Sequence, residues 1–466
     1  MTPQEKFFQL LEEGYNIFLT GPGGTGKTYL LKQALEKYPE NFVVTSSTGI
    51  SAVNLMDGAV TIHSFSGLGI RTLKDFPSQA KFSDFCRLSL PEDTDLKIKG
   101  CKKLIIDEVS MLSPEFIDSL DILFKIVRNC EFPFGGVQMI FSGDMLQLPP
   151  VVKTDELTPN NFERKENFLA FESKAWQQAN IQVVQLTEIK RTDNLEFAEI
   201  LCRVRTMDWT AKDFKMLKST ESKVFPDDVR PLKLFNSNRK ADQINKDELD
   251  KLPGNTLTIK MKCRGPWEKI KEYKKGILAP EVLELKENCR VMVLINKNSM
   301  DSMNTEEEHY VNGSLGTFLG LKEMMTRRQV WNVERDPQTF EVIRRYKDYK
   351  MYHVAVVRLD TGHVIYLKRN TWEFGDMVLN EFKEYQPEVE ISQFPIRLAY
   401  AFTIHKSQGM SIDSLEIDCH GIRTDNQFYV AASRARSFEG LKVVNLKAYN
   451  ITACPKAIKF YKESLQ

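Results

Sequence analysis

The fold is decided by the stretch Tyr15-Asn16-Ile17-Phe18-Leu19-Thr20-Gly21-Pro22-Gly23-Gly24-Thr25-Gly26-Lys27-Thr28, close to the start of the 466-residue chain. An apolar run at 15–19 leads into a glycine-rich loop at 21–28, and a helix-forming stretch follows at 30–38. This order, with the spacing Gly-x-x-x-x-Gly-Lys-Thr, is typical of a phosphate-binding loop. A chance glycine turn is the alternative, which the order of the three elements disfavours. The sequence therefore predicts that the chain binds a nucleoside triphosphate.

The residue types of this loop suit a triphosphate. The glycines let backbone N–H groups surround an anion without Cβ clashes, and the following helix contributes its N-terminal dipole. Lys27 can reach the β- and γ-phosphates, and the Thr28 hydroxyl can ligate magnesium. We therefore expect ATP and Mg²⁺ as cofactors.

The composition is that of an ordinary globular protein, with 42% hydrophobic and 27% charged residues. A net charge of +1 does not by itself indicate a nucleic-acid partner. The eight cysteines are scattered without a Cys-x-x-Cys pair, which favours reduced intracellular thiols and disfavours zinc. We find no signal peptide and no membrane-spanning run. We expect an intracellular protein, located in the cytoplasm or nucleoid of a bacterium or in the nucleus or mitochondrion of a eukaryote.

Strands and helices alternate in the first part of the chain. Strands are predicted at 42–45, 103–107 and 137–141, and a helix at 114–127. Such alternation predicts a parallel sheet with helices on both faces. The segment 67–100 breaks the pattern and is predicted to be an insertion.

A second α/β unit is predicted to begin near 182–186 and to include 232–235, a helix at 239–250 and a strand at 291–295. Between these last two elements, 260–275 is charged and loop-like. Short strands from 313 to about 390 predict a small all-β module that interrupts this unit. The α/β pattern returns at 396 and ends in a helix at 456–464.

Two polar positions follow predicted strands. Asp107 can hold magnesium at the end of an apolar strand, and Glu108 can deprotonate the attacking water. The prolines at 149–150 stiffen the loop after the strand at 137–141, which can direct Gln147 at the γ-phosphate. A surface turn is the alternative for Gln147.

Two arginines are candidates for stabilising charge on the transferred phosphoryl group. Arg434 lies on a helix of small residues, and Arg191 follows a strand. Either could act as an arginine finger from the second α/β unit. From local sequence alone, a surface salt bridge is the more ordinary role for each.

In order along the chain, these segments resemble a superfamily 1 helicase of subgroup 1B, specifically the Pif family, with RecD and Dda helicases as more distant relatives. The phosphate loop and the segments 107–111, 143–150 and 429–434 match helicase motifs I, II, III and VI. Further matches are 46–52, 61–65 and 401–409 (motifs Ia, Ib and V), 113–138 (the signature helix leading into motif III), and 235–238 with 311–316 (the second core domain). The chain departs from the family pattern at 190–192, where Lys-Arg-Thr replaces Phe-Arg-Gln, and at 21–23, where Gly-Ala-Gly is commoner.

The resemblance implies an α/β fold with two RecA-like parallel-sheet domains, a small wedge insertion in the first and an SH3-like all-β insertion in the second. The expected boundaries are 1–66 and 101–180 for the first RecA-like domain, 67–100 for the wedge, 181–312 and 391–466 for the second RecA-like domain, and 313–390 for the SH3-like domain.

The resemblance also implies roles for individual residues. The catalytic residues are Lys27, Glu108, Gln147, Arg191 and Arg434. The nucleotide-binding residues are Gln4, which resembles the family's adenine-reading glutamine, together with Gly21, Pro22, Gly23, Gly24, Thr25, Gly26, Lys27, Thr28, Gln408 and Gly409. Magnesium is assigned to Thr28 and Asp107, and single-stranded DNA to Thr48, His63, Ser64, Phe65, Thr403, His405, Lys406 and Ser407.

Aromatic residues have two possible roles in such a protein. His63 and Phe65 could stack on bases, an interaction of about 1–3 kcal/mol per base. Packing in the core is the ordinary alternative. The insertion contains Phe76, Phe82 and Phe85, which could belong to a duplex-splitting wedge or could simply anchor the insertion.

The resemblance implies an ATP-dependent DNA helicase that moves 5′ to 3′ on single strands, with roles in genome maintenance that include repair, recombination and telomere maintenance. Its partners would be single-stranded DNA and DNA junctions; G-quadruplexes and RNA–DNA hybrids are further substrates of the family. We expect a monomer, with a dimer on DNA left open, and no membrane partner. The rival interpretation is an ATP-gated DNA-binding switch or loader that does not unwind. A protein-remodelling ATPase is more remote.

Overall fold

The computed structural model describes the chain except for residues 40–41, 48–50, 52–54, 56–58, 70, 89, 91, 151–167, 191–193, 227–228, 275–276, 296–309, 311–312, 326–329, 336–341, 349–350, 380–384 and 465–466. It divides into two compact units. The first contains Met1–Ala241 and Phe402–Gln466, and the second contains Asp242–Ala401.

The strands, in chain order, are β1 (Ile17–Thr20), β2 (Phe42–Ser46), β3 (Val60–Thr61), β4 (Lys103–Asp107), β5 (Gln138–Gly143), β6 (Gln182–Gln185), β7 (Leu232–Phe235), β8 (Leu257–Lys260), β9 (Lys262–Arg264), β10 (Val282–Leu285), β11 (Arg290–Val293), β12 (Leu315–Met325), β13 (Val330–Arg335), β14 (Val342–Asp348), β15 (Met351–Leu359), β16 (Val364–Lys368), β17 (Asn370–Leu379), β18 (Tyr385–Gln393), β19 (Ile396–Leu398), β20 (Ala401–Thr403), β21 (Leu415–Asp418) and β22 (Leu441–Val444).

The helices in the described residues are α1 (Pro3–Glu12), α2 (Lys27–Lys37), α3 (Ile62–Phe65), α4 (Gln79–Leu88), α5 (Glu92–Gly100), α6 (Pro114–Arg128), α7 (Lys174–Gln178), α8 (Leu195–Thr206), α9 (Ala211–Ser219), α10 (Asn238–Asp250), α11 (Trp267–Tyr273), α12 (Gln427–Ala432) and α13 (Pro455–Ser464). None of these helices is long and apolar enough to cross a lipid bilayer.

The first unit contains a six-stranded sheet in the order β3-β2-β4-β5-β1-β6, and its strands pair in parallel. Both faces are buried. Ile17 and Leu19 of β1 contribute to the core on one face, whereas Phe18 contributes to the core on the other. Parallel sheets covered on both faces require such continuous apolar strands, which explains why these strands are recognisable in the sequence.

A four-stranded sheet in the same unit has the order β20-β7-β21-β22, and β21 pairs in parallel with both β7 and β22. The prediction of two parallel sheets in an α/β fold is therefore confirmed. The last helix, α13, follows this sheet in the chain but packs on the core of the first sheet, where Phe460 stacks on Phe171 with ring centroids 4.2 Å apart.

One strand was assigned to the wrong sheet by the sequence pattern. The run at 182–186 was predicted to open the second α/β unit, but β6 pairs in parallel with β1 at the edge of the first sheet. A strand's own composition does not indicate which sheet it joins, because the pairing depends on the helix that leads into it. The boundary predicted at 181 therefore falls one strand too early.

The second unit is built mainly from antiparallel strands. Its largest sheet has the order β16-β15-β12-β11-β19, and β17, β18 and β9 form another sheet. An inserted all-β region was predicted from 313, but its strands begin at β8, and the strand at 291–295 belongs to it as β11. The charged segment 260–275, predicted to be loop-like, contains β9 and α11. Half-exposed charged strands lack the apolar run that identifies a buried one.

The insertion at 67–100 contains α4 and α5. The ring of Phe76 lies 5.2 Å from the rings of both Phe82 and Phe85, and Phe82 is fully buried in the core beside α6. These aromatic residues therefore anchor the insertion to the first sheet's core, which is the alternative considered for them above.

Candidate functional site: a phosphate loop between two parallel sheets

The glycine-rich loop lies between β1 and α2 and has the backbone geometry of an anion cradle. Gly26 has a φ of 89° and immediately precedes α2, so this position favours glycine. A Cβ on Gly21 would lie 2.3 Å from the carbonyl oxygen of Leu186. The chain can make this turn against the end of β6 only with glycine at position 21.

Lys27 begins α2 and its side chain folds over the loop. Its Nζ donates to the carbonyl oxygens of Gly21, at 2.7 Å, and Pro22, at 3.1 Å. Burial lowers the pKa of Lys27, although the carboxylates of Asp144 and Glu108 oppose that shift. The ammonium group therefore lies where phosphate oxygens can replace the two carbonyls as its ligands.

The end of β4 delivers two carboxylates. Asp107 is the last residue of the strand, and Glu108 follows with a φ of 53°, in the left-handed region. Burial raises the pKa of both, and the Asp107 charge raises the pKa of Glu108 further. The Gln408 amide donates to Glu108 Oε2 at 3.0 Å. Glu108 is thus a half-buried, oriented carboxylate of raised basicity, as suits a general base.

The turn after β5 carries Gln147. Its backbone N–H donates to the Asp144 carbonyl at 2.9 Å, and its carbonyl accepts from the Asn426 amide at 3.1 Å. The side-chain oxygen of Gln147 is buried and has no hydrogen-bond partner among the described residues. A buried amide without a partner costs free energy, so a ligand or a water molecule in the adjoining cavity would stabilise it.

Arg434 follows α12 and is buried. Its Nε donates to the Val430 carbonyl and its Nη2 to Ser433 Oγ, both at 2.9 Å. A Cβ on Gly23 would lie 3.4 Å from Nη2, so the guanidinium group lies directly against the phosphate loop. Burial lowers the pKa of Arg434, while the charge of Glu108 opposes this shift. The second sheet thus supplies a cation to the loop of the first.

These side chains line one cavity of about 810 Å³. Its lining residues are Gly23, Gly24, Gly26, Lys27, Thr28, Asp107, Glu108, Gln147, Lys190, Asn194, Gly409, Ser411, Arg434, Arg436, Ser437 and Glu439. The cavity therefore brings together the phosphate loop, both carboxylates, Gln147 and Arg434. Such a cavity can hold a triphosphate with a base, a cation and a polar side chain around its terminal phosphoryl group.

The donor set also fits magnesium. The Thr28 hydroxyl and the Asp107 carboxylate are hard oxygen donors on the same cavity. In the described part of the chain no group of three or more His, Cys, Asp or Glu side chains could hold a metal alone. Mg²⁺ is commonly held by one or two protein oxygens together with substrate phosphates and water, so these two residues suffice.

The other residues predicted to bind the nucleotide differ in whether they line the cavity. Gln4 lies in the first turn of α1, half-buried, and is not among the described residues that line the cavity. Gln408 contacts Glu108 rather than lining the cavity, whereas Gly409 lines it. Thr25 is buried and its hydroxyl donates to the Pro22 carbonyl at 2.9 Å, which fixes the loop. Arg191 lies outside the described residues.

The predicted DNA-contacting residues separate into exposed and buried groups. Ser64 and His405 are exposed, and Lys406 is half-buried. Thr403 and Ser407 are buried, and the Ser407 hydroxyl donates to the Ile404 carbonyl at 2.8 Å. A phosphate contact from these two side chains does not fit this conformation. Thr48 lies outside the described residues.

The two aromatic residues predicted to stack on bases have different surroundings: Phe65 is buried, whereas His63 is half-buried. Phe65 is only 7% exposed and packs in the core with Phe124, so base stacking does not fit this conformation. The His63 ring lies 4.4 Å from the Phe116 ring, and burial lowers its pKa to about 4. A motif match does not reveal which face of α3 is turned inward, and that face decides whether a ring is available to DNA.

The sequence reasoning missed several cavity residues. Arg436, Ser437 and Glu439 follow Arg434 along the chain, and Lys190 and Asn194 flank the undescribed segment that contains Arg191. Their closeness to predicted residues was a usable signal. Ser411 likewise lies two residues after Gly409, which was predicted to bind the nucleotide.

Comparison with known proteins finds similarity to helicases of the PIF1 type. The model of the family described as PIF1-like helicase matches residues 3–208. The chain is 29% identical, over 467 aligned residues, to the ATP-dependent DNA helicase PIF1 of Xenopus laevis, and the alignment covers 99% of this chain and 64% of that protein. The chain therefore spans less than two thirds of the length of this relative.

Two crystal structures of a Bacteroides Pif1 are also similar. The complex with ADP-AlF4 has a TM-score of 0.76 and 26% identity, covering 99% of this chain and 97% of the other. The complex with ADP-AlF3 and ssDNA has a TM-score of 0.66 and 26% identity, covering 100% and 96%. The similarity thus extends over both described units.

Proposed function

We propose, since this chain belongs to the PIF1-like helicase family, that it is an ATP-dependent DNA helicase which moves 5′ to 3′ along single-stranded DNA and unwinds duplexes. The relatives named above are ATP-dependent DNA helicases or bind nucleotide analogues and ssDNA. The observation that carries the proposal is the single cavity in which the phosphate loop and carboxylates of one parallel sheet face an arginine of the other.

Each cavity residue has a defined part in the proposed hydrolysis. Lys27 holds the β- and γ-phosphates, and Thr28 with Asp107 holds Mg²⁺, which neutralises the phosphate charge when bound. Glu108 accepts a proton from the attacking water, and Gln147 orients that water or the γ-phosphate. Arg434 stabilises the charge that develops on the transferred phosphoryl group. We propose the same finger role for Arg191, and an adenine contact for Gln4.

The same contacts suggest how hydrolysis is coupled to DNA. The Ser47 backbone N–H donates to the Asp107 carbonyl at 3.0 Å, and its hydroxyl donates to the Glu108 carbonyl at 2.8 Å. On the other sheet, Gln408 contacts Glu108 directly and follows the predicted DNA segment 403–407. Segments expected to hold DNA therefore bond directly to the two residues that would act on ATP. Ser47 bonds to the backbone carbonyls of Asp107 and Glu108, and Gln408 bonds to the Glu108 carboxylate. A change in one site can shift the other through these short links.

We propose that Ser64, His405 and Lys406 contact the DNA backbone, as their exposure or partial exposure permits, and that Thr48 does so as well. Hydroxyl, imidazole and ammonium groups bind phosphate without reading sequence. In the described conformation, Thr403, Ser407 and Phe65 act through packing. DNA junctions, G-quadruplexes and RNA–DNA hybrids are proposed as further substrates on the family resemblance alone, as are genome-maintenance roles and a monomer that can pair on DNA.

We also propose the four-part domain division, with corrected boundaries. The second RecA-like domain begins after β6, and the all-β insertion extends over the described strands from β8 to β19 rather than 313–390 alone. The support is the pairing of β6 with β1 and of β11 with β12 and β19. The wedge remains assigned to 67–100.

The test is a comparison of two tailed duplexes. With ATP and Mg²⁺, we expect a duplex with a 5′ single-stranded tail to be separated, while 3′-tailed and blunt duplexes remain intact. Single-stranded DNA should stimulate ATP hydrolysis. Lys27→Ala serves as the control for a contaminating helicase, because removing its cation should abolish turnover.

The outcomes separate the candidate functions. Brisk DNA-stimulated hydrolysis without strand separation would favour the switch or loader. A rate of ATP hydrolysis that does not change when single-stranded DNA is added would favour an ATPase that acts on protein. Separation of the 3′-tailed duplex alone would refute the assigned direction while leaving the helicase proposal intact.

A further inference from the structure

A buried ion pair whose members are not among the cavity-lining residues joins the two parallel sheets. Arg205 on α8 is 5% exposed, and Asp144, which follows β5, is fully buried. Arg205 Nη2 lies 2.7 Å from Asp144 Oδ1, and Nε lies 3.0 Å from Oδ2, so the pair is bidentate. Helix α8 packs on the second sheet's elements, where Phe197 contacts Phe438. The ion pair therefore links a helix on the second sheet to a strand end of the first.

A tyrosine from the last helix completes this cluster. The Tyr461 hydroxyl donates to Asp144 Oδ1 at 3.2 Å, accepts from the Met145 N–H at 3.0 Å, and lies 2.6 Å from Thr20 Oγ1. The guanidinium carbon of Arg205 lies 4.9 Å from the centre of the Tyr461 ring. The hydroxyl is thus bonded to the residue directly before the phosphate loop and to the turn after β5.

Asp144 in turn organises the turn that carries Gln147. Its carboxylate accepts from the Leu146 N–H at 3.0 Å, and its carbonyl accepts from the Gln147 N–H at 2.9 Å. A rotation of the Asp144 carboxylate would therefore move the backbone from which Gln147 reaches the cavity.

The cluster also approaches the loop from a second side. Tyr429, on α12, accepts a hydrogen bond from the Gly23 N–H at 3.0 Å. Burial raises the pKa of Tyr429, and the charge of Asp144 raises it further while that of Arg205 opposes the shift. The phosphate loop is therefore held at Thr20 and at Gly23 by two tyrosine hydroxyls near one ion pair.

Asp144, Arg205 and Tyr461 do not line the cavity that would hold the triphosphate. A buried ion pair is weak evidence for stability, because apolar side chains of similar volume often stabilise a core as well or better. Its directional bonds can instead fix one arrangement of the groups it touches, and here those groups are the loop and the Gln147 turn. We propose that Arg205 and Tyr461 are positioning residues for ATP hydrolysis. They hold the Gln147 turn at a fixed position relative to the phosphate loop, and they make that position depend on the second sheet. This inference rests on the proposed ATPase activity.

The first test removes one hydroxyl. Tyr461→Phe keeps the ring under Arg205 but deletes the bonds to Thr20, Met145 and Asp144. The matched control is Tyr449→Phe, at a site 65% exposed and outside the cluster. The readouts are the DNA-free rate of phosphate release at saturating ATP, the Kd of a fluorescent ADP, and the melting temperature. We expect Tyr461→Phe to lower the rate about tenfold, to change the Kd less than threefold, and to leave the protein folded at the assay temperature.

The second test replaces the ion pair by apolar residues. The double variant Asp144→Leu with Arg205→Met leaves no unpaired buried charge, so the core can remain folded. If the pair were only structural, this variant would retain turnover once folded. We expect instead a loss of tenfold or more in the DNA-free rate, with the Kd for ADP kept within about threefold.

A folded Tyr461→Phe and a folded double variant that both keep at least half of the wild-type rate would overturn the proposal, whatever their melting temperatures. Loss of ADP affinity with an unchanged rate would also overturn it. These readouts are made without DNA. A failure of this proposal can therefore be distinguished from a failure of the helicase proposal, which is tested in the tailed-duplex assay.

Discussion

Arg434→Ala is expected to abolish most of the turnover while leaving nucleotide binding. An arginine finger typically contributes about 10³–10⁵ in rate, equivalent to about 4–7 kcal/mol of transition-state stabilisation. Arg434 is suited to this role because it is buried against Gly23 and faces the same cavity as Glu108.

The structure also indicates how much folding stability Arg434→Ala should lose. The Arg434 side chain donates two hydrogen bonds, to the Val430 carbonyl and to Ser433 Oγ. Their loss should cost about 1–3 kcal/mol of folding stability, too little to explain a thousandfold loss of rate in a protein that remains folded.

The assay is single-turnover ATP hydrolysis with and without single-stranded DNA, accompanied by the Kd of a fluorescent ADP and a melting curve. Arg423→Ala is the matched control, since Arg423 is an exposed arginine shortly before α12. A loss of less than tenfold in folded Arg434→Ala would refute the finger assignment and would leave Arg434 as a residue that only supports the loop.

Lys27→Ala should weaken ATP binding as well as abolish hydrolysis, because the phosphates lose their cation; equilibrium binding of a fluorescent ATP analogue checks this, and unchanged affinity would contradict it. Phe65→Ala should lower the free energy of unfolding by about 3–5 kcal/mol, as expected for a large core side chain, while the folded variant keeps its DNA affinity. A large loss of DNA affinity at unchanged stability would restore the base-stacking role. Lys406→Ala should reduce the slope of log affinity for single-stranded DNA against log salt by about 0.7, one phosphate contact; an unchanged slope would remove Lys406 from the interface. Burial lowers the pKa of His63 from 6.5 to about 4, so the unfolded chain binds more protons than the folded chain below pH 6.5. The free energy of unfolding therefore decreases as the pH is lowered, and at pH 5 it is about 2 kcal/mol smaller than at neutral pH. His63→Phe should remove that part of the pH dependence in denaturant titrations. An identical pH dependence in both proteins would show that the pKa of His63 is not lowered in the folded protein.

The grouping of residues at the candidate nucleotide site was predictable because most of them lie in short, local patterns. The carboxyl ends of parallel strands meet at one edge of a sheet, so Asp107 at the end of β4 and the loop after β1 had to lie close together. The involvement of Arg434 depended on a second sheet facing the first. The family resemblance supplied that arrangement, which no local pattern contains.

Other features depended on long-range packing and could not be read from the sequence. Arg205 lies in an amphipathic helix, where an arginine is ordinarily exposed, and its partner Asp144 is 61 positions away. Tyr461 reaches Thr20 across 441 positions. Similarly, the inward face of α3 buries Phe65, which its motif match did not indicate.

The central claim, that hydrolysis at this cavity drives strand separation, is tested most directly by wild-type protein and Glu108→Gln on one 5′-tailed duplex. Glu108→Gln removes only the proposed base, so it should bind ATP and DNA with near wild-type affinity. We predict that wild-type protein separates the strands in the presence of ATP and Mg²⁺, and that Glu108→Gln separates none while bound to both. Strand separation by Glu108→Gln at the wild-type rate, or none by wild-type protein that hydrolyses ATP on the same DNA, would contradict the claim.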